Sequence, residues 1–223
     1  MGGYFLIFLV ALALTGGAQL WLRNVFGKYA NVANTSGLTG RETARAILDA
    51  NGLHDVAIER VRGTLSDHYD PRTRTVRLSE GNYERASVAG MAVAAHEVGH
   101  AIQHAKSYAP LDMRSAILPV ASIGDRFGML LIFIGLFTGV TGLGLLGVIL
   151  FGGAVLFQVV TLPVEFDASN RAMAQMNQLG LATQQDSGGA RTVLTAAALT
   201  YVAATATSIM YLLYYLSIFT GRD

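Results

Sequence analysis

From Ile117 to Phe166 the chain is almost unbroken apolar sequence, interrupted before Glu165 only by Asp125-Arg126 and by the glycine-rich run Gly139-Val140-Thr141-Gly142-Leu143-Gly144. A stretch of this length reads as a membrane helical hairpin: two passages across a hydrocarbon core about 30 Å thick, joined at the glycines. Its first arm has two possible starts. Begun near Ile117 it carries Asp125 and Arg126 into the bilayer, and begun at Phe127 it is short for a span. The reading favours an interfacial pair whose side chains snorkel.

Two more segments have the same character. Tyr4 to Leu22 holds no charged side chain, and the start Met-Gly-Gly-Tyr lacks the basic region of a secretory signal, so an uncleaved anchor is expected. Ala196 to Phe219 is the last long apolar segment, and its Ala203, Ala204, Ala206 and Ser208 permit close helix packing. With 52% hydrophobic and 14% charged residues, the composition is that of a membrane protein. The expected fold is a mainly α membrane protein with about four transmembrane helices and a small α+β domain.

Charge divides the chain further. Residues 23–115 hold 12 of the 16 Lys and Arg and 10 of the 15 acidic residues, which marks a water-facing domain. The expected organisation is an anchor over 1–22, this domain over 23–115, the hairpin over 116–164, a second water-facing segment over 165–192 and a final span over 193–223. The hairpin turn carries no basic residue, whereas the segment after it carries Arg171 and Arg191. By the positive-inside rule, 23–115 and 167–192 are cytoplasmic and both termini lie outside a multi-pass inner membrane protein. Cysteine is absent, so disulfides are excluded and any metal must be held by nitrogen and oxygen. A net charge of +1, with no basic block and no phosphate loop, gives no support to nucleic-acid binding.

Within the water-facing part, Thr39-Gly40-Arg41-Glu42 matches a capping box and opens a short amphipathic helix through Ala44, Ile47 and Leu48 to Asn51-Gly52. Val56, Ile58 and Val61 suggest a strand. Asp67 to Asp70 and Thr75 to Ser79 flank the turn signal Asp70-Pro71-Arg72, predicting a hairpin. The strand before the next helix could offer a free edge to an extended peptide, or simply support that helix.

That next element, predicted from about Tyr83 to Ala105, contains His96-Glu97-Val98-Gly99-His100. On a helix the two histidines sit at i and i+4 and project from one face, supplying two of zinc's usual four ligands. Glu97 points to the side, suited to take a proton from a water activated by the metal. Chance pairing of surface histidines is the ordinary alternative. The apolar flanks Ala92-Val93-Ala94-Ala95 and Ala101-Ile102-Gln103 argue instead for a buried helix, where an unpaired Glu would be costly.

A third ligand must come from elsewhere. Glu165, in Leu162-Pro163-Val164-Glu165-Phe166-Asp167, stands at the end of the hairpin after a proline that can start a new helical segment. Spacing alone leaves it open between a zinc ligand and a carboxylate wetted at the membrane interface. Asp112 is the alternative ligand. His104 continues the histidine face by one turn and suits packing or support of a ligand; His68 lies in the hairpin; Asp167 could orient a histidine.

At HEVGHAIQH together with LPVEFDASNRA the chain resembles the YugP-like membrane zinc metallopeptidases of bacteria, over nearly its whole length. Glu165-Phe166-Asp167-Ala168 is more distantly similar to the third-ligand helix of the integral-membrane CAAX-prenyl endopeptidases and their bacterial heat-shock relatives, where the pattern is Glu-x-x-Ala-Asp. Ser169 stands here where that group has Asp. The resemblance implies a gluzincin-like peptidase with one catalytic zinc held by His96, His100 and Glu165, and Glu97 as general base. The oxyanion donor is open among His68, Tyr69, His104 and Arg171. The expected partners are a protein or peptide substrate, membrane-borne or membrane-proximal, and the lipid bilayer; a regulatory partner is open. The rival readings are an intramembrane protease using Asp112 and a non-catalytic membrane scaffold or transporter accessory.

Overall fold

The structure, a computed structural model, describes residues 2–221. It is mainly helical, with four helices long and apolar enough to cross a membrane: Phe5–Tyr29, Ala109–Thr138, Thr141–Gln178 and Gln184–Thr220. Contacts divide it into two units, and the long helices α1 (Gly2–Tyr29), α7 (Thr141–Gln178) and α8 (Gln184–Thr220) contribute segments to both.

The apolar unit comprises α1 up to Gln19, Ala109–Pro163, and α8 from Leu199 onward. In it α5 (Ala109–Ile123), a π-helical turn (Gly124–Gly128) and α6 (Met129–Thr138) form one uninterrupted rod, despite Pro119 inside α5. This removes the short first arm starting at Phe127: Asp125 and Arg126 lie within the helical rod, in its π-helical turn. Gly139, with φ of 73°, caps α6 in the left-handed conformation that costs glycine least, and α7 begins at Thr141. Ile132, Val148, Tyr215 and Phe219 form the buried centre of this unit.

The second unit, Leu20–Tyr108 and Val164–Ala198, carries most of the charged residues. Its α2 (Gly40–Ala50) starts at the expected capping box: Thr39 Oγ1 accepts from Glu42 N, and Glu42 accepts from Thr39 N. Ala44, Ile47 and Leu48 are fully buried on one face. Three strands follow, β1 (Ala57–Val61), β2 (His68–Asp70) and β3 (Thr75–Ser79), in the order β1-β3-β2. The hairpin β2-β3 is antiparallel with Tyr69 opposite Val76, and β1 runs parallel to β3 with Ile58 opposite Val76. The strand preceding the motif helix therefore has no free edge. β3 is flanked on both sides because its Val76 and Leu78 are wholly buried, and the open edges belong to β1 and β2.

The motif helix α4 spans Val88–Ala105, later than the apolar pattern suggests. Residues from Glu80 to Glu84 form a separate short helix, α3, and Arg85 is extended. The break arises because Ser87 is a better start: its hydroxyl accepts from Gly90 N at 3.0 Å, satisfying one of the donors a helix N-terminus leaves free. Asn34 holds that start in place, donating from its side chain to Ser87 O and from its backbone to Ala86 O. Asp67 ties the sheet to the same region by accepting from Ser79 N and Asn82 Nδ2.

Candidate metal centre

Helix α4 is nearly all buried, and its small residues let a second helix come close. That approach is tightest at Gly99, where an added Cβ would stand 2.6 Å from Ala168 O of α7. Around this crossing α7 turns Val164, Glu165, Ala168 and Ala172 inward, all 3% exposed or less. The i, i+1, i+4, i+8 spacing of these residues keeps them on one side of the helix. Glu165 sits well inside a continuous helix that runs through Pro163, rather than at the start of a new segment.

The crossing brings together His96, His100 and Glu165, whose candidate ligand atoms all lie within 4.8 Å of one another. Glu165 Oε2 is 3.3 Å from His96 Nε2 and 3.7 Å from His100 Nε2. The two imidazoles stand nearly perpendicular, their ring centroids 4.8 Å apart. Asp112 is not in this group and is exposed on the first turn of α5.

Which ring nitrogen faces the centre is fixed from behind. Gln103, wholly buried, turns its Nε2 toward two acceptors, Val164 O and Asp167 Oδ2, each at 2.8 Å. Its Oε1 is therefore an acceptor, so His100 Nδ1, 3.0 Å away, is the donor. The Nε2 of a neutral His100 is then left with a bare lone pair. His96 Nδ1 is placed similarly, 3.1 Å from Ser169 Oγ.

With both imidazoles neutral and protonated at Nδ1, two lone pairs and a carboxylate oxygen point at one another. Glu165 Oε2 is buried and has no hydrogen-bond partner among the described residues. Three acceptors converging without a proton between them repel, and a cation is what satisfies them. Ligand atoms bonded tetrahedrally at about 2.1 Å lie about 3.4 Å apart, so the donor set and its spacing fit zinc.

Glu97 lies next to His96 in sequence and is 8% exposed. Burial pushes its carboxyl above the ordinary glutamate value, with the charges of His96 and His100 working in the opposite direction. For His100 burial disfavours the charged ring, but the Glu165 and Glu97 carboxylates outweigh it and the net direction is upward.

The remaining residues singled out in the sequence fall into place. Asp167 reaches His100 only through Gln103, and is itself held by Arg171 Nε at 2.5 Å. Arg171 Cζ also lies 5.5 Å from the Tyr108 ring centroid, so the guanidinium meets a carboxylate through Nε and an aromatic ring. His104 Nδ1 is 2.9 Å from Tyr69 Oη, joining α4 to β2. His68 is exposed, its Nδ1 against Ser66 O. Gln103 and Gly99 carry roles that motif reading missed, although Gln103 stands three residues after His100 on the same helix, where a partner for its ring is expected.

Residues 4–220 match the model of a family described as "putative neutral zinc metallopeptidase". The chain belongs to this zinc metallopeptidase family. Membership implies zinc, which agrees with the donor set. The chain is also 49% identical over 216 residues to "Putative membrane protease YugP" of Bacillus subtilis (strain 168), with 96% of each chain covered. The four long apolar helices among the described residues accord with the membrane named in that relative's description. No solved structure matches the chain.

Proposed function

We propose that this chain is a membrane-integrated zinc endopeptidase in which His96, His100 and Glu165 hold the metal and Glu97 is the general base. The observation that carries the reading is the convergence of two imidazole nitrogens and a carboxylate oxygen within 4.8 Å, Glu165 Oε2 having no hydrogen-bond partner among the described residues, beside a buried carboxyl whose pKa is raised. When bound, zinc polarises a peptide carbonyl and lowers the pKa of a coordinated water to about 7.

The chain's own residues do the rest. Glu97 accepts the proton of the attacking water as the new C–O bond forms, and returns it to the nitrogen as the C–N bond breaks. A carboxyl raised by burial is a stronger base than an exposed glutamate and a competent acid for the second transfer. Gln103 and Ser169 keep the ring nitrogens that face away from the centre protonated, so that the others remain ligands. The substrates are proteins or peptides in or near the membrane, and the concentration of Lys and Arg in residues 23–115 supports a site on the cytoplasmic side.

The test is metal content and proteolysis of the purified full-length protein. Glu97→Gln is expected to retain stoichiometric zinc and lose cleavage, and Glu165→Ala to lose zinc. Full zinc in Glu165→Ala would remove the ligand assignment; undiminished cleavage by Glu97→Gln would remove the base. Because the chain has no cysteine, sidedness can be read from single cysteines at the exposed Thr64 and Val140. Thr64→Cys should react from the cytoplasm and Val140→Cys from outside.

A further inference from the structure

The apolar unit contains a polar notch that the peptidase chemistry does not use. Between the π-helical turn and α7 lies a cavity of about 260 Å³ whose lining includes Ser122, Asp125, Ala154, Phe157 and Gln158. Its polar groups offer acceptor oxygens. Gln158 Oε1 is buried and unpartnered among the described residues, Ser122 spends its hydroxyl hydrogen on Leu118 O and keeps its lone pairs, and Asp125 is a carboxylate. The walls are fixed by a close crossing, since a Cβ on Gly124 would meet Leu150 O at 2.1 Å.

Depth makes the notch expensive to leave empty. Counting about 1.5 Å per residue, Asp125 lies about 20 Å along the rod from Thr138, inside a hydrocarbon core about 30 Å thick if the turn at Gly139 marks one face. No charged residue occurs from Phe127 to Val164 to offset it. Arg126 has a long stem that can bend toward headgroups, but the short side chain of Asp125 cannot. Both are exposed, and among the described residues neither has an ion-pair partner.

An acceptor-lined notch beside an unpaired arginine on the same turn is self-complementary. We propose that this face is the interface of a two-fold dimer, in which Arg126 of each copy enters the notch of the other and meets Asp125 and Gln158. A two-fold axis requires reciprocity: if residue 125 of one copy meets 126 of the second, the converse contact forms too. Both buried charges are then paired and Gln158 Oε1 gains a donor. A guanidinium fits such a site better than an ammonium would, because its planar fork can bridge a carboxylate and an amide oxygen together. The inference stands apart from the zinc reading and survives its failure.

The experiment is the dissociation of full-length protein in bilayers, measured by dilution of donor- and acceptor-labelled copies over a range of lipid-to-protein ratios. The unmodified chain should dimerise, and Asp125→Asn and Arg126→Gln should each weaken association by about tenfold or more. The double exchange Asp125→Arg with Arg126→Asp keeps the pairing in reversed sense and should restore it. Helicity of every variant, measured by circular dichroism, reports folding independently. A monomer at all ratios, dimerisation indifferent to both single variants, or no recovery in the exchange would overturn the proposal. Association that instead follows the fraction of amine-headgroup lipid would assign the notch to lipid and overturn it as well.

Discussion

Gln103 Oε1 accepts the His100 Nδ1 hydrogen at 3.0 Å while the same amide donates to Val164 O and Asp167. One buried side chain thus sets a ligand's tautomer and ties α4 to α7. Gln103→Leu removes both functions at similar volume. We expect zinc affinity, measured by chelator competition, to fall about 10- to 100-fold with helicity retained. Undiminished affinity would mean that His100 is oriented by packing alone.

Gly99 fixes how near the two helices come. Its Cβ position is 2.6 Å from Ala168 O, part of the backbone, which cannot rotate aside. Gly99→Ala should separate the α4 and α7 donors and cost about 1–3 kcal/mol of stability by overpacking. Zinc binding should weaken more than it does in Ala101→Gly, a change of similar size about 200° around α4 from Gly99. Equal effects would show that the crossing tolerates a methyl group.

Ser169 occupies the position where the distantly similar endopeptidases carry Asp. Its hydroxyl lies 3.1 Å from His96 Nδ1, so the supporting role survives with a neutral acceptor. Ser169→Ala should weaken zinc binding about tenfold, and Ser169→Asp, which offers a charged acceptor, should bind at least as tightly as the unmodified chain. Loss of zinc in both variants would point to steric packing at this position.

Much of this centre was legible because its chemistry is local. His96 and His100 are one helical turn apart, and that spacing fixes a common face whatever surrounds it. The capping box at Thr39 and the hairpin at Asp70 are likewise written in neighbouring residues. The strand order was not, since β3 pairs with β1 through a parallel contact that no turn signal announces. The start of α4 is hidden because Tyr83 to Ala105 is apolar enough to read as one helix, and the pieces are separated by hydrogen bonds from Gly90 N to Ser87 Oγ and from Asn34 to Ala86 O and Ser87 O. Gln103 was passed over because an amide in an apolar helix looks like surface until α7 is seen to cover it.

Ser87 gives a direct measure of what that separation is worth. Ser87→Ala deletes the cap of the helix carrying both histidines and should lower stability by about 1 kcal/mol, read as a drop in Tm. Ser87→Asp, which retains an acceptor, should recover most of it. A Tm unaffected by either change would mean that Asn34 alone holds the start of α4.

The centre should also give opposite pH dependences with and without metal. In metal-free protein His100 titrates above its ordinary value, so its contribution to stability is fully present below about pH 6.5, its unfolded value, and is lost as pH rises through the higher folded value. Glu97, also raised, works in the same sense, because its buried carboxylate disfavours the folded state once ionised. Zinc reverses this, since protonated imidazoles cannot ligate and binding gains strength as protons leave. At a free zinc concentration 100 times the Kd the metal adds about 2.7 kcal/mol. The Tm difference between zinc-loaded and chelator-treated protein should therefore widen from pH 6 to pH 8, and the widening should shrink in Glu97→Gln, which has no carboxylate to ionise. A difference independent of pH would mean that these donors do not exchange protons for metal, and would remove them as the zinc site.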